Sequence, residues 1–239
     1  MNRALFASAT GMAAQQKQLD VIADNLANAD VVGFKSAQAT FAAIGADAQL
    51  GTAMTGTRSI FAAGKLERSD GPFDVAINGP GFFRVERDGE RAYTRAGAFS
   101  RARDGSLRNA DGWKLCDVVI PGAAQTISVA ADGRVSAQLN GRPRELGRIA
   151  LAAFDAPERL RPVGSALFAV TAGSGPPRAL AAGRDREPTI EFGVLEKSNV
   201  SIIESMMAIL TAQRAYEADS KGVQAADEML RIANNLHRS

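Results

Sequence analysis

One cysteine, one histidine, one tryptophan and two tyrosines occur in 239 residues, and each shortage excludes something. Cys116 has no second thiol, so no disulfide forms within the chain. Its place in Lys114-Leu115-Cys116-Asp117-Val118-Val119-Ile120 suits a buried small hydrophobe rather than a reactive thiol. His237 is the only histidine and stands at the end of the chain, where helices fray. A Ser-His-Asp or Cys-His arrangement would depend on that tail, and Cys/His zinc sites are excluded by counting. With Trp113 and two tyrosines, aromatics are too few for a sugar-binding cleft, and Trp113 is read as a hairpin packing residue.

Other absences point the same way. The G-x-G triplets Gly79-Pro80-Gly81 and Gly173-Ser174-Gly175 lack the strand-before, helix-after context of a phosphate cradle and read as turns. No calcium-loop pattern occurs. Asp70, Asp74, Asp104 and Asp111 lie beside turn residues, where aspartate serves turn chemistry more often than glycoside hydrolysis. Apolar runs fall short of the roughly 18–20 residues of a membrane span. The net charge is +2, and the arginines between Arg84 and Arg108 alternate with Glu86, Asp88, Glu90 and Asp104, which reads as a solvated hairpin face. The expectation is therefore no enzyme, no cofactor, no metal, no nucleic acid, no small-molecule substrate and no membrane insertion.

What the chain does have is long helical periodicity at both ends and a change of period between them. Leu5, Met12, Leu19 and Leu26 recur at heptad spacing, with Ile22 at the offset position. Near the other end Ile202, Met206, Ile209, Tyr216, Val223 and Leu230 follow the 3–4 alternation of one helical face. Such seams need another helix to bury them. A second stripe on the C-terminal segment is small: Ala208, Thr211, Ala215, Ala218, Gly222 and Ala225. Small side chains let two backbones approach closely. One of these faces can serve the N-terminal helix and the other a neighbouring molecule. Ser201 with Glu204 forms a capping-box signature, and the helix it opens, about 1.5 Å per residue, extends roughly 50 Å.

Between the ends the period is two. Asp88-Gly89, Asp104-Gly105, Asp111-Gly112, Asp132-Gly133 and Asn140-Gly141 are the pairs that tight hairpin turns demand. Ile127–Ala137 reads as one hairpin and Ile149–Phe154 as a buried strand. The expected fold class is α+β: long terminal helices paired as a coiled-coil-like core, plus a central antiparallel all-β domain. Residues 1–35 with 193–239 would form the helical domain and 65–192 the β domain. Residues 36–64, weakly patterned, would be a connector that is partly helical near Phe41. The helical stripe runs through Gln15, Gln16, Lys17 and Gln18, so the start is expected to belong to the mature fold rather than to a cleaved signal.

The chain resembles the axial proteins of the bacterial flagellum, the rod and hook family. The resemblance rests on Thr10–Gln16, Leu19–Asn28 and Gly33-Phe34-Lys35 near the start, and on Asp74–Phe83 and Tyr93–Phe99 in the middle. Near the end it rests on Ser198-Asn199-Val200 and Ala212–Glu217. Gln213–Glu217 is most like the distal rod type; the short connector and Gly193–Glu196 are similar to the proximal type. The resemblance implies a structural subunit that assembles helically with copies of itself into a hollow, torque-transmitting shaft. It also implies partners among other rod and hook proteins and the flagellar export apparatus, export without a cleaved signal, and a place in the basal-body rod across the periplasm. The assembly surface would be the two large-residue stripes together with Ala208, Ala215, Ala218, Gly222 and Ala225.

Overall fold

The computed structural model describes residues 3–45, 51–164, 166–183 and 188–236, so His237 lies outside the described residues. The chain forms two compact units. One is drawn from Met1–Ala27, Ala37–Arg58 and Ser201–Ser239, the other from Asn28–Ser36 and Ser59–Val200.

The first unit is built on two helices, α1 (Arg3–Ala27) and α2 (Ile202–Leu236). Ser201 caps α2, its Oγ accepting the Glu204 amide at 3.3 Å, which satisfies one free donor of the first turn. Beside the helices lies a two-stranded sheet of β1 (Ala37–Ile44) and β2 (Gly51–Ser59). This corrects the expectation of a partly helical start near Phe41. The Asn25 side chain takes both backbone groups of Ala37: its Oδ1 accepts the amide and its Nδ2 donates to the carbonyl, each at 2.7 Å. The Thr52 amide donates to Thr10 Oγ1 at 3.3 Å, and the Thr40 hydroxyl to the Gly56 carbonyl at 3.0 Å. Those tertiary bonds outweigh the helix preference of the alanines in this stretch.

The second unit is a large antiparallel β structure. Its first strands are β3 (Leu66–Arg68), β4 (Val75–Asn78), β5 (Phe82–Arg87), β6 (Glu90–Thr94) and β7 (Ser100–Arg101). Then come β8 (Ser106–Arg108), β9 (Lys114–Val119), β10 (Gln125–Val129), β11 (Arg134–Leu139) and β12 (Arg142–Arg148). The rest are β13 (Leu151–Ala153), β14 (Arg161–Pro162), β15 (Leu167–Ala169), β16 (Arg178–Leu180), β17 (Thr189–Phe192) and β18 (Val194–Glu196). The main sheet runs β10-β11-β12-β9-β5-β6-β15-β14, with β13 also on β5 and β8 on β9. All five Asp-Gly or Asn-Gly pairs sit between consecutive strands. At Asp88-Gly89 and Asn140-Gly141 both residues have positive φ, +53° and +86°, then +51° and +75°. That is the mirror-image turn whose twist suits adjoining antiparallel strands.

Period-two burial then builds the core. Phe83, Val85, Leu115, Val118, Ile120, Val135 and Leu151 are fully enclosed, with Trp113 in the same cluster. Phe82, Tyr93, Phe154 and Phe168 form a second cluster of edge-to-face rings. Cys116 is buried, and burial pushes its thiol pKa up, as expected of a packing residue. The interleaved charges of the hairpin face pair with one another, Arg108 with Asp104 at 2.8 Å and Lys114 with Glu86 at 3.4 Å.

Candidate functional site

The helices of the first unit meet on small residues. Ser8 lies against Gly222 and Gly11 against Asp219: a Cβ added to Gly222 would stand 2.7 Å from Ser8 Oγ, and one on Gly11 would stand 2.6 Å from Asp219 Oδ2. The two contacts run in opposite chain directions, so α1 and α2 are antiparallel. The solvent-shielded positions follow from this register. On α2 they include Ser205, Ala208, Ala212, Ala215, Asp219, Gly222 and Ala226; on α1 they include Ala7, Gly11, Ala14, Gln18, Val21 and Asn25. Each set advances by alternating steps of three and four, one face of a helix.

The small face of α2 therefore serves α1, and the large one is left open. Of the α2 stripe, Ile202, Met206, Tyr216 and Leu230 are exposed, while Ile209 and Val223 are half-buried. Ile203, Met207, Leu210, Met229 and Ile232 add to the open surface; Ile203 is 74% exposed and Met207 64%. Leu5, Met12, Leu19, Ile22 and Leu26 on α1 are half-buried, as are Ala208, Ala215 and Gly222 on α2; Ala218 and Ala225 are exposed. The large-residue stripe of α2 is thus mostly open, whereas that of α1 is half-buried.

The second unit contains a cluster that sequence spacing did not reveal. Glu196, 0% exposed, accepts Lys35 Nζ at 2.6 Å and the Gly64 amide at 2.9 Å on Oε1, and Arg95 Nε at 2.8 Å on Oε2. Arg95 directs three of its other donors to the carbonyls of Ile77, Gly79 and Gly81. Lys35 also donates to the Ala62 carbonyl at 2.7 Å. Burial pushes the Glu196 carboxyl up, but the Arg95 charge, the Lys35 bond and the Gly64 amide outweigh it and hold the group below its ordinary range. Burial likewise pushes the Lys35 ammonium down, against the pull of Glu196. Every charge is hydrogen-bonded, the condition under which buried ions are tolerated.

Around this triad the segments that lead into and out of the unit are tied together. The Gly33 amide donates to the Glu196 carbonyl at 2.7 Å and the Ile60 amide to the Ser36 carbonyl at 2.8 Å. Asn199 accepts the Ser36 amide at 2.7 Å and donates to the Ile60 carbonyl at 2.8 Å. Gly33 has φ +67°, and a Cβ there would overlap the backbone of Arg95 and Ala96. Among the described residues no group of three or more His, Cys, Asp or Glu side chains could hold a metal, and no helix is long and apolar enough to cross a membrane.

The three sequence segments that make these features also match known families. Residues 5–35 match the flagella basal body rod protein family, 76–137 the flagellar hook protein FlgE/F/G D1 domain, and 193–236 the flagellar basal body rod FlgEFG protein C-terminal region. Lys35, Arg95 and Glu196 fall one in each. Over its whole length the chain is 38% identical to the flagellar basal-body rod protein FlgG of Borreliella burgdorferi, itself fully covered. It is 36% identical to the FlgG protein of Agrobacterium fabrum, with 97% of this chain and 98% of the relative aligned. Identity to the flagellar basal-body rod protein FlgF of Caulobacter vibrioides is 30%, with 98% and 97% aligned. The chain belongs to the flagellar basal-body rod protein family and is a structural rod subunit of the FlgG, distal-rod type rather than an enzyme.

Proposed function

We propose that this subunit assembles helically with copies of itself into a hollow shaft that transmits torque, its terminal helices forming the inner core and its β unit the outer layer. The observation that carries the proposal is the open row on α2: Ile202, Ile203, Met206, Met207, Leu210, Met229 and Ile232 stay exposed after α1 has taken the small face. Burying one such side chain contributes about 1.5–3 kcal/mol, so the row favours contact with a neighbouring subunit. The interface on this reading comprises Leu5, Met12, Leu19, Ile22 and Leu26 of α1. From α2 it takes Ile202, Met206, Ile209, Tyr216, Val223 and Leu230, with Ala218 and Ala225 on the outer side.

Other rod and hook proteins would cap the shaft at its two ends, and the chain would reach its place across the periplasm through the flagellar export channel without a cleaved signal. A proximal position in the rod is the second reading, resting on the 30% identity to a FlgF protein against 38% to a FlgG protein. Sedimentation of the purified protein over a concentration series tests self-assembly: growth of large species supports it, and a monomer at every concentration contradicts it. Labelled copies located in isolated basal bodies separate the distal from the proximal position.

A further inference from the structure

The first strands of the β unit take their strand partners from its last ones. Among the described residues β3 pairs with β18 alone and β4 with β17 alone. No described residue earlier in the chain than Thr189 pairs with β3, whereas β4 also donates its Val75 amide to the Gly97 carbonyl at 3.1 Å and accepts Arg95 on its Ile77 carbonyl. The same C-terminal stretch closes the junction through several further bonds. The Gly193 amide donates to the Asp74 carbonyl at 2.8 Å, the Ser69 amide to the Gly193 carbonyl at 2.9 Å, and the Lys197 amide to the Lys65 carbonyl at 2.9 Å. Glu196 and Asn199 then complete the buried ionic and amide contacts to residues 33–36 and 60–64. The main sheet is different. Its hairpins β5–β6, β8–β9, β10–β11 and β11–β12 each join consecutive strands, so they need no help from the C-terminal stretch.

We propose that residues 189–199 are a closing strap. The hairpin sheet forms first, while residues 33–36 and 60–69 stay open until the strap arrives and locks them in one step. The step is all-or-none for an electrostatic reason. Before Glu196 docks, burying Lys35 and Arg95 would leave two unpaired cations away from water, so their segments remain solvated. Once it docks, one carboxylate satisfies both cations and an amide. A chain delivered end to end, from a ribosome or through a narrow channel, thus keeps its leading junction unlocked until residue 199 has emerged. The inference concerns the monomer and does not depend on the rod reading.

The test uses the full chain. Pulsed hydrogen exchange during refolding follows the amides of Gly33, Ser36, Ile60, Gly64 and Lys197 against those of β5, β6 and β9. Fluorescence of Trp113, the only tryptophan, reports folding of the main core in the chain and in Glu196→Gln. The junction amides are expected to gain protection together and after the sheet. Interactions formed after the rate-limiting step act on unfolding alone, so Glu196→Gln is expected to speed unfolding at least about tenfold and leave Trp113 refolding within about twofold. Refolding slowed in proportion, or no change in either rate, overturns the strap. So does junction protection that appears with or before the sheet, and that order decides the matter alone if Glu196→Gln does not refold.

Discussion

Lys35 and Glu196 are 161 residues apart in the chain and meet at 2.6 Å with both side chains excluded from solvent. Arg95 completes the contact from a third segment. The β unit is consequently held shut where the chain passes into and out of it, and several predictions depend on that closure.

Glu196→Leu removes the carboxylate and leaves two buried cations unmatched. Breaking a buried ion pair from one side costs about 3–5 kcal/mol. The expected outcome is a loss of that size in the stability of the β unit, measured by urea unfolding with Trp113 fluorescence. A loss below about 1 kcal/mol would mean that Lys35 and Arg95 find water in the variant.

Acid should loosen the same junction. The native Glu196 pKa is depressed, so its contribution is present above the unfolded value, about 4.3, and is lost as pH falls through the lower native one. Asp104 and Asp132 are also held low. For Asp104 the Ser106 hydroxyl and amide act first and Arg108 adds to them; for Asp132 the Arg134 amide is the main cause. Stability is expected to fall steadily as pH drops below about 4, and in Glu196→Gln the fall should be shallower, as thermal melts at a series of pH values would record.

Asn25→Ala tests how β1 is held. It deletes both bonds to Ala37 and leaves that amide and carbonyl short of partners, at about 1–3 kcal/mol. Hydrogen exchange at Ala37 should rise well over tenfold, with β-unit amides unchanged; unaltered exchange would mean that the bonds do not hold the strand.

Gly33→Ala combines a left-handed backbone with a steric overlap against Arg95 and Ala96. The conformational part alone is of order 1–3 kcal/mol, and the neighbouring backbone cannot swing aside as a side-chain tip could. A drop in melting temperature of more than about 4 °C is expected, larger than that for Gly89→Ala, where a Cβ meets open space and only the strained φ contributes.

Local chemistry was legible in the sequence. The Asp-Gly and Asn-Gly pairs marked the hairpin turns because positive φ is a demand of the turn itself, and Ser201 marked the start of α2 because a cap acts within one turn. Long-range pairing was not. Lys35, Arg95 and Glu196 each stand in unremarkable surroundings, and only the charge at the end of Val194-Leu195-Glu196, a strand with a buried end, hinted at a partner. The face that α2 turns to α1 was legible in part: Ala208, Ala215 and Gly222 of the small stripe lie on it, while Asp219, with Gln18 and Asn25 on α1, interrupts its apolar pattern. Asn25 reaching Ala37 across a loop decided the fate of 37–44, which no window of local propensity contains.

The most direct measurement of the central claim is electron microscopy of the purified chain beside Ile203→Asp and Met207→Asp, two changes on the open face of α2 that leave its small face and the β unit intact. The account predicts tubular assemblies from the unaltered chain and none from either variant, with Trp113 still buried in both. Tubes of the same form from the variants, or none from the unaltered chain at any concentration, would contradict it.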